Sequence, residues 1–131
     1  MTVKQIQLLF SKAEDALKRS VAPYSGFRVG AAVISRGGRI YTGSNIENPS
    51  LMLSMCAERT ALYKGLTGVN DPFVAIAIVS GAGDYCFPCG ACRQLLYEFA
   101  PGIDVYLKSK KGIKKFSIEE FLPYPFRAPV P

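Results

Sequence analysis

The feature that most constrains the fold is an unbroken run of seven apolar residues, Phe73 to Val79. A strand with one face in water alternates apolar and polar residues, and this run does not alternate. It therefore predicts a β-strand, Phe73 to Ser80, that is covered on both faces of its sheet. Such a strand needs helices above and below it. The run is also far too short to cross a bilayer, which takes about 20 residues.

Further helices and strands are predicted on both sides of this strand, in the order α-β-β-α-β-α-β-β-α. The predicted helices cover 2–19, 55–66 and 91–99, with a short one from Ser117 to Pro123, and the other strands cover 27–34, 39–42, 103–108 and 113–116. We expect the second helix to be stopped by Gly68, a residue suited to a left-handed C-terminal position. The order predicts an α/β fold with a mixed five-stranded sheet and helices on both faces. At 131 residues, we expect a single domain, 1–131.

The amino-acid composition excludes several kinds of catalytic and metal site. The chain has no histidine, which excludes a Ser-His-Asp triad, an imidazole base and a His-ligated metal. Its net charge is +6, and five lysines cluster between Lys108 and Lys115 around Gly112. Such a cluster is more typical of a solvated hairpin tip than of a nucleic-acid site. We therefore expect no nucleic-acid partner and no membrane.

Four cysteines are present, and three of them, Cys86, Cys89 and Cys92, lie within seven residues. The N-terminal segment mixes charged and apolar residues and does not predict a signal peptide, so we expect a cytoplasmic protein. Disulfides are rare in that reducing compartment. Closely spaced cysteines there indicate metal ligands or redox groups.

Two short segments combine these cysteines with a carboxylate. Cys89 and Cys92 are one helical turn apart, so both sulfurs can face one ion, and Cys56 would complete a set of three. Zinc with three protein ligands keeps a fourth position for water, which is the catalytic arrangement. Glu58, two residues from Cys56, can lie beside the metal and exchange protons with that water. Arg59 and Arg93 are candidates to withdraw charge from the sulfurs.

The motifs C-A-E-R-T-A at 56–61 and P-C-G-A-C-R-Q at 88–94 match the signature of zinc nucleobase deaminases, with Cys as the first ligand. Together with A-P-Y-S-G-F-R-V-G-A-A at 22–32, N-I-E-N at 45–48 and F-L-P-Y-P-F at 121–126, the sequence resembles the small homotetrameric cytidine deaminases. The resemblance implies a three-layer α-β-α sandwich. It also implies zinc-dependent hydrolysis of cytidine and 2′-deoxycytidine to uridine and 2′-deoxyuridine plus ammonia, in pyrimidine salvage.

The resemblance also implies a role for individual residues. Zinc, one ion per subunit, would be bound by Cys56, Cys89 and Cys92, with Glu58 as the proton shuttle and Arg59 hydrogen-bonded to ligand sulfurs. The nucleoside would be held by four residues of the same chain, and Phe126 would reach into a neighbouring subunit's site. Those four residues are Phe27 against the base, Ala57 through its backbone at the pyrimidine ring, and Asn45 and Glu47 at the ribose hydroxyls.

Several alternatives stay open on the sequence. The cysteines could form a structural zinc site with Cys86 as fourth ligand, or a redox pair. Asn45 and Glu47 could be loop residues that satisfy backbone groups, and Phe27 and Phe126 could be plain core. The C-terminal aromatic segment could also fold back on its own core.

Other functions are open as well. One is a related aminohydrolase of the blasticidin S deaminase type, and another is an RNA-binding or editing module with a zinc site. N-I-E-N favours a ribose-bearing substrate over blasticidin S, and only the charge favours RNA. Family members usually carry an aromatic residue where Leu51 stands, and this position often contributes to the subunit contact. Ser or Thr is common where Phe87 stands.

Overall fold

The structure, a computed structural model, describes residues 1–129. Its helices and strands follow the predicted order, and a 3-10 turn, Leu51–Leu53, is added inside the predicted loop. The helices are α1 (Val3–Leu17), α2 (Ala57–Gly68), α3 (Gly90–Phe99) and α4 (Ile118–Phe121), and the strands are β1 (Val29–Ser35), β2 (Ile40–Ser44), β3 (Phe73–Ser80), β4 (Asp104–Ser109) and β5 (Gly112–Ser117).

The five strands form one mixed sheet in the order β2-β1-β3-β4-β5. β3 and β4 are parallel, whereas the other neighbouring pairs are antiparallel. The apolar run of β3 lies at the centre, where Ile76 pairs with Val33 on one side and Val105 on the other. The prediction of an α/β fold with a mixed five-stranded sheet is therefore confirmed.

Each face of the sheet has its own apolar core. Leu9, Phe10 and Ala13 of α1 pack on one face, against side chains such as Ala32 and Ala77. The opposite face is covered by α2, α3 and α4, through buried residues that include Ala61, Leu62, Leu96 and Ile118. Because successive strand residues point to opposite faces, β1 and β3 contribute to both cores. The three-layer α-β-α sandwich is confirmed.

One glycine determines how closely α2 approaches the sheet. A Cβ at Gly43 of β2 would lie 2.4 Å from the backbone nitrogen of Ala61 and 2.5 Å from the carbonyl oxygen of Ala57. No larger residue fits at this distance, so the first turns of α2 rest directly on β2. This contact positions the helix start that carries Cys56 and Glu58.

Gly68 lies at the end of α2, as predicted, but it is a glycine for a different physical reason. Gly68 ends the helix, but it is not among the glycines of positive φ. A Cβ at Gly68 would instead lie 2.7 Å from the ring of Tyr41, so the glycine provides space for an aromatic side chain.

The lysine-rich segment forms a tight hairpin as expected, with Lys110 and Lys111 between β4 and β5. Gly112, with φ +126°, provides the left-handed residue of the turn. Among residues 1–129, no helix is long and apolar enough to cross a membrane.

Candidate active site

Three thiols meet where α2 and α3 begin. Cys56 and Cys89 are the N-cap residues of these helices, and Cys92 lies in the first turn of α3. The Cys56 and Cys89 sulfurs are 3.9 Å apart, the Cys89 and Cys92 sulfurs are 3.5 Å apart, and all three lie within 4.8 Å of one another. The cysteines that the sequence selected as ligands therefore form one cluster.

The spacing of these sulfurs fits a zinc ion. Tetrahedral zinc with Zn–S bonds of about 2.3 Å holds neighbouring sulfurs about 3.8 Å apart, close to the two distances above. Among the described residues, Cys56, Cys89 and Cys92 form the one group of three or more potential metal ligands. Cys86 is outside this group, so the cluster has the three-ligand form that leaves one coordination position for water.

The surroundings of the cluster stabilise negative charge on sulfur. The Arg59 guanidinium donates to the Cys56 sulfur at 3.2 Å, as predicted. A hydrogen bond from the Cys92 thiol, together with Arg59, holds the pKa of Cys56 below its usual range, and the same thiol contact raises the pKa of Cys92. Both helix N-termini add positive potential at the cluster. The Cys56 sulfur is thus favoured as a thiolate, the form that binds a metal ion.

Glu58 lies in the first turn of α2 beside the thiols, but it is not one of the clustered ligands. It is only 5% exposed. Burial raises the pKa of its carboxyl to about 7. A carboxyl with this pKa can both accept and donate a proton near neutral pH, which is what a proton shuttle requires.

A cavity of about 360 Å³ opens in front of the cluster. It brings together the four predicted nucleoside contacts of this chain with Glu58 and with two of the three clustered cysteines, Cys56 and Cys89. Its walls include Phe27, Asn45, Glu47, Ala57, Cys56, Glu58, Arg59 and Cys89. This volume is within the range of small-molecule sites, and residues distant in sequence meet there.

Asn45 and Glu47 also make the backbone contacts that the alternative interpretation expected. The Asn45 amide donates to the Phe27 carbonyl oxygen at 2.8 Å, and its oxygen accepts from the Val29 nitrogen at 2.8 Å. Glu47 accepts hydrogen bonds from the backbone nitrogens of Tyr24 and Ser25 at 3.0 and 3.1 Å. Both residues therefore organise the cavity wall, and their contact with a ribose stays a prediction.

Two of the residues singled out in the sequence lie elsewhere. Arg93 does not contact a sulfur: it donates to the carbonyl oxygens of Pro88 at 2.7 Å and Phe121 at 3.3 Å. It therefore fixes the loop before α3 rather than withdrawing charge from the cluster. Phe126 is 66% exposed and is absent from the walls of this chain's cavity. Its proposed role in a neighbouring subunit stays a prediction.

Sequence reasoning missed several residues of the cavity. Cys86 and Leu51 line its wall, although neither was proposed as a substrate contact. Ser25 also escaped notice, although its hydroxyl donates to the Glu47 carboxylate. The motif A-P-Y-S-G-F contained this signal, because a serine near a turn often bonds to neighbouring groups.

Comparison with known proteins identifies the family to which the chain belongs. Residues 3–107 match the family model described as "Cytidine and deoxycytidylate deaminase zinc-binding region". The chain belongs to this family. Among its relatives, a cytidine deaminase of Halalkalibacterium halodurans is 42% identical over 93% of this chain and 94% of its own length. A cytidine deaminase of Sporosarcina psychrophila is 39% identical over 92% and 90% of the two chains.

A solved structure supports the same assignment. The crystal structure of a cytidine deaminase from Burkholderia pseudomallei superimposes with a TM-score of 0.87 at 38% identity, covering 96% of this chain and all of the other. The match to a zinc-binding region and the geometry of the three thiols together make zinc the cofactor of this deaminase.

Cys86 provides a test of the ligand set. Its half-buried thiol packs against the core, and burial raises its pKa to about 11, so it stays a neutral thiol and a poor ligand. We expect Cys86→Ser to keep both bound zinc and activity. Zinc content by atomic absorption and turnover of cytidine check this, and metal-free, inactive protein would show that Cys86 is a ligand.

Proposed function

We propose that this chain hydrolyses cytidine and 2′-deoxycytidine to uridine and 2′-deoxyuridine plus ammonia. The observation that carries the proposal is the buried carboxyl of Glu58 beside three clustered thiols, at a cavity that Glu58 and two of these cysteines line. The names of the relatives support cytidine as the substrate.

Cys56, Cys89 and Cys92 would hold one zinc ion per subunit. When bound, zinc acidifies a water molecule and so supplies a nucleophile at neutral pH. Arg59 offsets part of the thiolate charge, which would otherwise weaken the ion as a Lewis acid.

Glu58 moves the protons of the reaction. Its carboxylate accepts a proton from the attacking water and delivers it to N3 of the pyrimidine as the hydroxyl adds at C4. It then passes the second proton of the water to the amino group, which leaves C4 as ammonia. The raised pKa of Glu58 suits both directions of transfer.

The remaining cavity residues bind and orient the nucleoside. Glu47 is an acceptor and Asn45 retains amide hydrogen-bonding capacity, so both suit ribose hydroxyls. The half-exposed ring of Phe27 offers an apolar surface to the base, and the Ala57 backbone lies at the start of α2 beside the thiols. This assignment places the base toward Glu58 and the sugar toward the loops.

We also propose a homotetramer in which Phe126 closes a neighbour's cavity. Leu51 and Met52 are 85% and 95% exposed at the 3-10 turn beside the cavity, and Tyr124 is 96% exposed in the C-terminal segment. Adjacent exposed apolar side chains of this kind mark interaction surfaces. The exposed side chains of Tyr124 and Phe126 weigh against a C-terminal segment that buries them in its own core.

Cytoplasmic pyrimidine salvage fits this activity. Three of the four cysteines cluster as potential metal ligands, a use of cysteine that is typical of cytosolic enzymes.

An ultraviolet assay of cytidine loss, with zinc measured on the same sample, tests the proposed function. We expect turnover of cytidine and deoxycytidine and about one zinc per chain. Blasticidin S assayed in parallel serves as the comparison substrate. Zinc-loaded protein that deaminates blasticidin S but neither nucleoside would contradict the proposal.

A further inference from the structure

The loop before β1 is tied to the loop after β2 through one hydroxyl group. Ser25 Oγ donates to Oε2 of Glu47 and accepts from the backbone nitrogen of Phe27 at 2.9 Å. It therefore contacts both the residue assigned to the sugar and the residue assigned to the base. No other side chain among the described residues is hydrogen-bonded to the Glu47 carboxylate and to Phe27 together.

Three donors from the same turn hold the Glu47 carboxylate. The backbone nitrogens of Tyr24 and Ser25 donate to Oε1, while the Ser25 hydroxyl donates to Oε2. Gly26 makes the turn possible, because its φ of +69° is a conformation that side chains disfavour. These hydrogen bonds, with that of the Ser25 side chain the largest, lower the pKa of Glu47. The turn thus keeps Glu47 as an ionised acceptor in one orientation.

Phe27 depends on hydrogen bonds for its position, because packing provides little. Its side chain is 46% exposed and lines the cavity, and it is not part of either core. Its backbone nitrogen is held by Ser25, and its carbonyl oxygen by the Asn45 amide at 2.8 Å. Without the Ser25 hydroxyl, the backbone of Phe27 would keep the hydrogen bond from Asn45 and lose the one at its nitrogen.

We propose that Ser25 is a positioning residue that fixes Glu47 and Phe27 for nucleoside binding. Its hydroxyl is used by protein groups on both sides, so it acts through these two residues rather than on the substrate. This inference rests on the proposed function, because it assumes that the sugar meets Glu47 and the base meets Phe27. It predicts an effect on binding that is separate from the chemical step at Glu58.

The test compares wild type, Ser25→Ala and Ser25→Thr on cytidine and on 2′,3′-dideoxycytidine, which lacks the 2′ and 3′ hydroxyls and keeps the 5′ hydroxyl. For cytidine, Ser25→Ala should raise KM about tenfold and leave kcat within about twofold, because ground-state and transition-state binding are lost equally. The rise should be smaller for dideoxycytidine, which has no 2′ or 3′ hydroxyl to donate a hydrogen bond to Glu47. The Ser25→Thr variant keeps the hydroxyl and should retain nearly wild-type KM. Ser11→Ala, on the exposed side of α1, is the matched control.

A double-mutant cycle with Glu47→Gln separates positioning from general loss of stability. If Ser25 acts through Glu47, Ser25→Ala should add little to the KM of Glu47→Gln. Full additivity would overturn the proposal, as would an unchanged KM in Ser25→Ala or a loss confined to kcat. A melting temperature for each variant accompanies the kinetics.

A failure of the proposed function can be distinguished from a failure of the inference about Ser25. Wild-type protein that turns over neither nucleoside contradicts that function, and the role of Ser25 is then decided by carbon-13 NMR titration of the Glu47 carboxyl. Its pKa should return toward the ordinary value in Ser25→Ala. A pKa equal to that of wild type would overturn the assignment of Ser25.

Discussion

Replacing Glu58 with Gln should lower kcat for cytidine by about 10²- to 10⁴-fold, the usual contribution of general acid–base catalysis. The amide has nearly the same shape as the carboxylate but cannot accept and return a proton. Zinc should stay bound, because Glu58 is outside the cluster of three thiols. Ultraviolet kinetics and zinc analysis on one preparation measure both quantities.

The control for this variant is Glu119→Gln, which makes the same change of charge on the exposed side of α4. It should keep wild-type kcat. Near-normal turnover in Glu58→Gln would refute the proton-shuttle role. Loss of zinc together with activity would instead show that Glu58 supports the metal site.

Truncation after Leu122 is expected to break the tetramer and raise KM for cytidine about 10- to 100-fold. The lower and upper bounds correspond to about 1.5–3 kcal/mol for a buried side chain such as Phe126. The C-terminal segment rests on α3 through its backbone, since the Gln94 amide donates to the Phe126 carbonyl oxygen at 3.1 Å. The side chains of Tyr124 and Phe126 are exposed and available for contact with another subunit. Light scattering measures the assembly, and kinetics measure KM.

Truncation after Phe126 is the matched control, because it removes the last five residues and keeps the aromatic ones. It should remain tetrameric with nearly wild-type KM. A fully active monomer after truncation at Leu122 would show that one chain builds the whole cavity.

Only part of the metal cluster could be predicted from local geometry, since Cys56 lies 33 residues before Cys89 and was added to complete a catalytic set of three ligands. Cys89 and Cys92 are brought together by one turn of helix, and the starts of two helices were marked by the motifs themselves. The run that became β3 predicted a central strand for an equally local reason. Glu58 follows from its place next to Cys56 on the same turn.

The features that could not be predicted from the sequence depend on contacts between segments that are far apart along the chain. Arg93 was taken for a neighbour of the sulfurs because it follows Cys92, but its side chain turns to Phe121, 28 residues away. Ser25 and Glu47 are 22 residues apart, and their contact requires two loops to meet. The role of Gly43 depends on α2 crossing β2, which periodicity does not report. Gly68 lies at the end of its helix as expected, but its missing side chain makes room for the ring of Tyr41 and does not serve a left-handed conformation.

Gly43 lets α2 lie directly on β2. The cavity wall therefore has two parts, one fixed by this contact and one formed by loops. Cys56 and Glu58 lie at the start of a helix pressed onto the sheet, whereas Phe27, Asn45 and Glu47 lie outside the regular elements. An engineer who wished to change the accepted sugar would therefore alter residues in 22–27 and 45–54, because loops placed by a rigid scaffold carry binding specificity. The helix start would keep the reaction chemistry constant while these loops were redesigned.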